Sequence, residues 1–339
     1  MTELHQSARQ KVFREDAADP PIQAKDYSHP VFKRLSQING AINKLKKDEV
    51  KEQLEALGLN SFGAKEVIKK RLKNYWKNRK LVQSRLPTDR ENKYDYILVI
   101  DFEATCDSVN PDNYRHEIIE FPVVVVDCET KSIVDQFHSY VRPSMNPTLT
   151  PFCITLTGIQ QSQVSAAEPF PVVLEKMWNW VRTNKYDRRM AVLTDGPWDM
   201  SRFMYLQCQF SGLRFPKWAR KWINIRKSFS NFYDCKRLSL SKMLEAAGFS
   251  FVGKPHSGLD DSINIARLVV RLLEDGCKFL VNEKLFTSKL QTNLKAFRCT
   301  GEVVSLNRSE AEALVSCESG EDDSDSDDEL EPIGTFSDS

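Results

Sequence analysis

The sequence predicts an α/β domain, a mixed sheet flanked by helices, behind a small helical module. Three apolar runs of strand length follow one another: "YDYILVIDFEA" (94–104), "EIIEFPVVVVDCET" (117–130) and "SIVDQFHSYVRP" (132–143). Successive strands of this kind suit a meander. Strand and helix patterns then alternate, which requires some parallel pairing. Upstream, residues 42–81 show helical periodicity instead.

Composition bounds the answer. A chain of 339 residues has room for two domains, and 41% hydrophobic content supports a sizeable core. The net charge of +1 hides segregation: residues 64–85 carry nine Lys or Arg against one acid, and residues 318–331 carry nine acids and no base. That pattern suggests a nucleic-acid-facing segment and a solvated acidic tail. No apolar leader and no 18-residue apolar run stands out, so no membrane association is expected. Eight cysteines without C-x-x-C spacing indicate neither a zinc ribbon nor a disulfide framework; reduced thiols fit the cytosol or nucleus.

Taken in order, residues 1–40 are polar and patternless and are expected to lack stable structure. In the helical module, 41–81, Val50, Leu54 and Leu57 mark one helix ended by Gly58 or Asn60. Ser61 then caps a second helix with Val67, Ile68, Leu72 and Tyr75 on one face. Residues 82–93 read as a linker, and 94–285 as the α/β domain. Its later elements are a helix in "PFPVVLEKMWNWVRTN", a strand in "RRMAVLTDG", and helices in "DMSRFMYLQCQFSGL", "SLSKMLEAAGF" and "GLDDSINIARLVVRLLEDG". Residues 286–339 form an extension with the acidic tail.

The first strand ends in two acids. Strand side chains alternate, so Asp101 and Glu103 share a face and continue the row of Ile97 and Val99. Two carboxylates there raise each other's pKa and resist burial. A divalent cation resolves the conflict, Mg²⁺ being commonly held by one or two carboxylates plus phosphate oxygens. An exposed strand end would carry D-x-E equally well, so more acids are needed. Asp199 opens a helix in "LTDGPWDMSRF", and His256 with Asp260 and Asp261 precede another in "KPHSGLDDSINIARLVV". Taken singly, each of these acids is also explained by helix capping.

Together these positions resemble the DEDDh exonucleases, whose motifs are D-x-E on the first strand, an Asp after a later strand, and H-x4-D on a late helix. The resemblance carries the acids onto Asp101, Glu103, Asp199 and Asp261 and the histidine onto His256. Asp260 fails the spacing, and Ser257 does not suit the sister subclass with Tyr-x3-Asp. The family often has Asn four residues before its third acid, where this chain has Asp195. "YDYILVIDFEATC", "HEIIEFPVVVVD", "FCITLTGI", "VLTDGPWDMSRF", "KWINIRKS" and "HSGLDDSINIAR" look like the histone-mRNA 3′ exoribonuclease (enhanced-RNAi exonuclease) family. Helix–"LGL"–turn–Gly–helix–"KKRL" likewise resembles a SAP domain, which that family carries before its nuclease. The likeness covers about residues 42–285.

The resemblance implies a ribonuclease H-like fold and a 3′–5′ exoribonuclease that uses two Mg²⁺ ions, with Mn²⁺ substituting, and releases nucleoside 5′-monophosphates. Asp101, Glu103, Asp199 and Asp261 would hold the metals, and His256 would be the general base beside Glu103. Glu103, Ala104, Trp198 and His256 would meet the terminal nucleotide, while buried packing suits Phe102. RNA contact falls to Lys69, Lys70, Arg71 and Lys77 of the basic helix, Arg71 first. Residues 213–229, with six Lys or Arg including Lys221 and with Trp218 and Trp222, suit either a single-strand groove or a partly buried amphipathic segment. The implied partners are RNAs with structured 3′ ends (histone mRNA stem-loops, small interfering duplexes, ribosomal RNA), together with stem-loop-binding protein and ribosome or RNA-silencing factors. A monomer in the cytoplasm and nucleus, including the nucleolus, is expected. Two other readings are a proofreading-type DNA exonuclease and a non-catalytic RNA-binding scaffold.

Overall fold

The computed structural model describes residues 28–88, 92–110 and 114–285. The expectations for residues 1–27 and for the acidic extension from 286 onward fall outside these residues.

The helical domain begins earlier than expected, which corrects the reading of residues 30–40 as unstructured. α1 (Pro30–Lys44) starts on a proline, with His29 Nδ1 accepting from the Val31 N–H at 3.2 Å. Its Val31, Leu35, Ile38 and Ile42 form one stripe. Val31 and Leu35 pack with Leu81, and Ile42 joins Val50 and Leu54 of α2 (Lys47–Ala56) and Ile68 and Leu72 of α3 (Lys65–Gln83). Two helices alone bury little, so the third completes the core.

The cap of α3 is Ala64, not Ser61. Ser61 is buried and donates to Glu55 Oε1 at 2.8 Å. The Ala64 N–H donates instead to the Ala246 carbonyl, 2.7 Å away in the α/β domain. Gly63 permits this approach: at φ +129°, a Cβ there would lie 2.8 Å from the same carbonyl.

The sheet comprises β1 (Tyr96–Val99), β2 (Glu103–Ala104), β3 (Ile118–Asp127), β4 (Ser132–Arg142), β5 (Glu168–Pro169), β6 (Met190–Thr194), β7 (Lys221–Asn224) and β8 (Glu283–Lys284). Its order is β5-β4-β3-β1-β6-β7-β8, with β2 paired to β3. β1, β3 and β4 form the antiparallel meander, and β1, β6 and β7 are parallel, as expected of a mixed sheet. Both faces are covered, which explains the unbroken "VVVV" of β3. Ile97, Val99, Val124 and Val126 face α8 (Ile225–Tyr233), α9 (Leu240–Ala247) and α10 (Gly258–Glu274). Leu98, Ile100, Val123 and Val125 face α6 (Phe170–Thr183) and α7 (Tyr205–Phe210). α4 (Pro151–Thr157) and α5 (Gln161–Ala166) pack under β3 through Cys153, Val164 and Ile119. No helix among the described residues is long and apolar enough to cross a membrane.

The two domains are fastened through Arg71, a buried residue, and here the structure departs from the expectation of an RNA-facing side chain. Its Nε and Nη2 donate to Asp275 Oδ1 and Oδ2 at 2.7 and 3.0 Å, and Nη1 donates to the Asn60 and Phe62 carbonyls. Asp275 also accepts from the Tyr233 hydroxyl at 2.8 Å, and Asn74 Nδ2 donates to its carbonyl at 2.7 Å. Val67 enters the core of the α/β domain, and the Lys70 ammonium lies 4.9 Å from the centre of the Phe232 ring. A charge this enclosed needs such partners. A cleft of about 310 Å³ runs along this seam beside Arg71, Tyr75 and Arg79, and none of the motif acids lines it. Lys77 is exposed on α3, and Lys69 donates to the Asn43 carbonyl at 2.6 Å.

The segment 213–229 is resolved in favour of packing. Trp222 on β7 is fully buried and Trp218 stacks on Trp178 at 5.5 Å, so neither is a free platform for bases. Lys221 stays exposed on β7.

Candidate active site

The chain after β1 brings the acids together. Asp101 follows the last residues of β1, and Glu103 starts β2, where it stands across from Glu120 of β3. Phe102, between them, points to the other face, buried edge-on against Phe121 at 4.7 Å. Asp199 opens a helix whose first turn, Asp199–Met204, is π-helical rather than the regular α-helix expected from sequence. Such wide turns are frequent at functional sites. Asp199 is buried, and its Oδ1 accepts from the Phe102 N–H at 3.0 Å, tying this turn to the end of β1. Asp261, also buried, lies in the first turn of α10 and accepts from the His256 N–H at 2.8 Å.

Their electrostatics show how closely the acids converge. Burial, then Asp199, Asp195, Asp261 and Glu103, push the Asp101 carboxyl well above its ordinary range. Burial, then Glu120, Asp261 and Asp199, push Glu103 up to about 9. Asp199 and Asp261 rise to about 7, chiefly through burial, although the Phe102 and His256 N–H groups pull the other way. A cluster of this kind calls for positive charge among the carboxylates, so these residues fit a divalent metal. Among the described residues, no three His, Cys, Asp or Glu side chains close into a finished cage.

His256 sits beside the acids on an exposed loop, with a left-handed backbone, φ +64°. Trp198, 38% exposed, carries the Arg202 guanidinium 4.7 Å from its ring centre. Ala104 is buried on β2, and its carbonyl accepts from Cys153 Sγ at 3.8 Å. One neighbour, Arg226, escaped the sequence reading, and its partner Asp195 entered it only as a departure from the family pattern. Asp195 forms an ion pair with Arg226, and Asp195 Oδ1 and Arg226 Nε are buried without a hydrogen-bond partner. Arg226 acts on Asp101 and Asp199, the one lowering the other's burden. No local pattern announces this pair. The register Thr194↔Asn224 between β6 and β7 creates it, by setting the residues beyond each strand end side by side.

A stability prediction follows. The folded pKa values of Glu103, Asp199 and Asp261 lie above ordinary unfolded values of about 4. The unfolded chain therefore binds fewer protons, and metal-free stability falls as pH rises from about 4 through 7 towards 9. Thermal melts in EDTA should show a falling Tm over this window. Added Mn²⁺ or Mg²⁺ should raise Tm, and by more at pH 8 than at pH 6.

The exonuclease (RNase_T) family pattern matches residues 98–269. The chain is 48% identical over 273 residues to 3′-5′ exoribonuclease 1 of Homo sapiens, covering 79% of this chain and 78% of that protein. A solved structure described as "3'-end specific recognition of histone mRNA stem-loop by 3'-exonuclease" superposes with a TM-score of 0.57 at 45% identity, over 84% of this chain and 95% of that one. A second, "Crystallographic structure of the nuclease domain of 3'hExo, a DEDDh family member, bound to rAMP", gives 0.56 at 52% identity, over 57% of this chain and 98% of that one. With likeness this extensive over a chain whose fold gathers the motif acids, the protein belongs to the exonuclease (RNase_T) family and is a 3′–5′ exoribonuclease that uses divalent metal ions.

Proposed function

We infer that the protein trims the 3′ ends of structured RNA, a stem-loop with a short single-stranded tail above all, with Mg²⁺ as its metal. The observation that carries this is the convergence of Asp101, Glu103, Asp199 and Asp261 next to His256, in a nuclease joined to a basic helical domain through the Arg71–Asp275 pair. The relative solved on a histone mRNA stem-loop supports the substrate class.

The four carboxylates would hold the metals. Bound divalent ions supply Lewis acidity and a water of lowered pKa, and they offset phosphate charge. His256, exposed at the rim, takes the proton of the attacking water, a role imidazole side chains fill most often in general acid–base catalysis. Trp198 stacks on the terminal base, and the Glu103–Ala104 strand reads the terminal ribose, whose 2′-hydroxyl separates RNA from DNA. Lys69 and Lys77 on α3 and Lys221 on β7 supply positive charge for the backbone.

The test is a time course on a 5′-labelled stem-loop RNA with a single-stranded tail, against a matched DNA. Stepwise shortening, 5′-monophosphate products, arrest by EDTA and rescue by Mg²⁺ are expected; equal rates on the DNA would overturn the RNA assignment. In the same assay His256→Ala should lose about 10²–10⁴-fold in turnover while its RNA affinity changes little. A parallel loss of binding would remove His256 from the role of base.

A further inference from the structure

The mechanism leaves unused a buried carboxylate on the strand opposite Glu103. Glu120 of β3 is 3% exposed. Its Oε2 accepts from the Gly258 N–H at 2.8 Å, and its Oε1 lies 3.4 Å from the Leu259 N–H and 2.8 Å from His138 Nε2. Gly258 and Leu259 are the first two residues of α10. A strand carboxylate thus satisfies amides that a helix start leaves open, at the positive end of the helix dipole. The local cap, Ser257 Oγ accepting from the Asp260 N–H at 3.4 Å, is longer than the Gly258 contact.

Gly258 shows how tightly this end is seated. A Cβ there would lie 2.6 Å from the Asp101 carbonyl, 3.1 Å from Glu120 Oε2 and 3.3 Å from Pro122 Cγ. The start of α10 therefore rests directly on the strand end that bears Asp101. His256 lies two residues before this contact and Asp261 three after it, and the two are joined by the His256 N–H to Asp261 Oδ2 bond. Leu259 also packs against the core cluster of Ile97, Val99, Val124 and Val126, and within the loop the Lys254 N–H donates to Asp260 Oδ2 at 2.8 Å.

We propose that Glu120 is a positioning residue for hydrolysis: by anchoring the Gly258 and Leu259 amides, it sets Asp261 and His256 in register with Asp101 and Glu103. This rests on the assignment of those four residues to the active site. On this proposal Glu120 acts through the start of α10. A glutamine in its place keeps the shape, but its NH₂ must face either the helix amides or His138, so the anchor is lost on one side.

The experiment compares full-length Glu120→Gln, Gly258→Ala and His138→Ala with the parent chain in three measurements: steady-state hydrolysis of the stem-loop RNA, Mn²⁺ affinity by calorimetry, and Tm. Glu120→Gln should lower kcat by about 10–100-fold, the scale for loss of an outer partner. KM should hold, and Mn²⁺ affinity should weaken by a similar factor as Asp261 shifts. Gly258→Ala, which lifts α10 from the other side, should show the same split, and it tests the idea should Glu120→Gln fail to fold. His138→Ala leaves both amides bonded to Glu120 and should keep kcat near the parent value. A Glu120→Gln protein that melts earlier yet keeps parental kcat and Mn²⁺ affinity would reduce Glu120 to a structural residue. An equal loss in His138→Ala would overturn the amide anchor in favour of the side-chain pair. A parent chain that hydrolyses no RNA would instead sink the functional reading, while the Mn²⁺ calorimetry would still judge the anchor.

Discussion

Asp101→Ala should abolish RNA hydrolysis and, in the same protein, raise the stability of the metal-free fold. Both effects come from one cause. Burial and four other carboxylates oppose the charge of Asp101. Without metal, removing it relieves that repulsion, and the remaining acids ionise more easily. With metal, a ligand is lost at the end of β1. The rate should fall by more than the roughly 10–100-fold that loss of an outer partner costs. Rate assays with Mg²⁺ and melts in EDTA at pH 8 test the two halves together. A variant that hydrolyses RNA at near-parental rate would remove Asp101 from the metal site. A variant that melts earlier in EDTA would show that its carboxylate is not a repulsive one.

Asp275→Ala should destabilise the protein by about 3–5 kcal/mol, the scale for breaking a buried pair. Arg71 would then be left with a buried guanidinium and neutral partners, the Asn60 and Phe62 backbone carbonyls and Asn60 Oδ1. The Tyr233 hydroxyl would lose its acceptor as well. Replacing both members with apolar residues should recover much of the loss, because the uncompensated charge, rather than the missing pair, dominates the cost. Urea titrations of Asp275→Ala and of Arg71→Met with Asp275→Leu measure both. If the single variant loses no stability, Arg71 has found water or other partners, and the helical domain is not held by this pair.

The two results separate what each level of description supplies. The sheet was legible because its strands obey simple rules: consecutive apolar runs pair as a meander, and "VVVV" reads as a strand buried on both faces. The acids were legible through their resemblance to the DEDDh motifs. α1 was also readable, since Val31, Leu35, Ile38 and Ile42 recur with helical spacing after a proline, yet the polar residues around them masked it. By contrast, β7 and α8 hide within a basic, Trp-containing segment whose aromatic residues look equally suited to a groove and a core. Only packing against β6 and Trp178 sends them inward.

The sequence by itself determined the fold class, because alternation is a property of the chain, and its resemblance to the DEDDh exonucleases singled out the four acids and the histidine. The tertiary structure decided what those residues face. It turned Arg71 from the surface to Asp275, 204 positions away. It set Arg226 beside Asp195 and placed Glu120 under the first amides of α10. A charged side chain goes where its desolvation is best offset, and for these three residues that place is fixed by distant parts of the chain meeting in the fold.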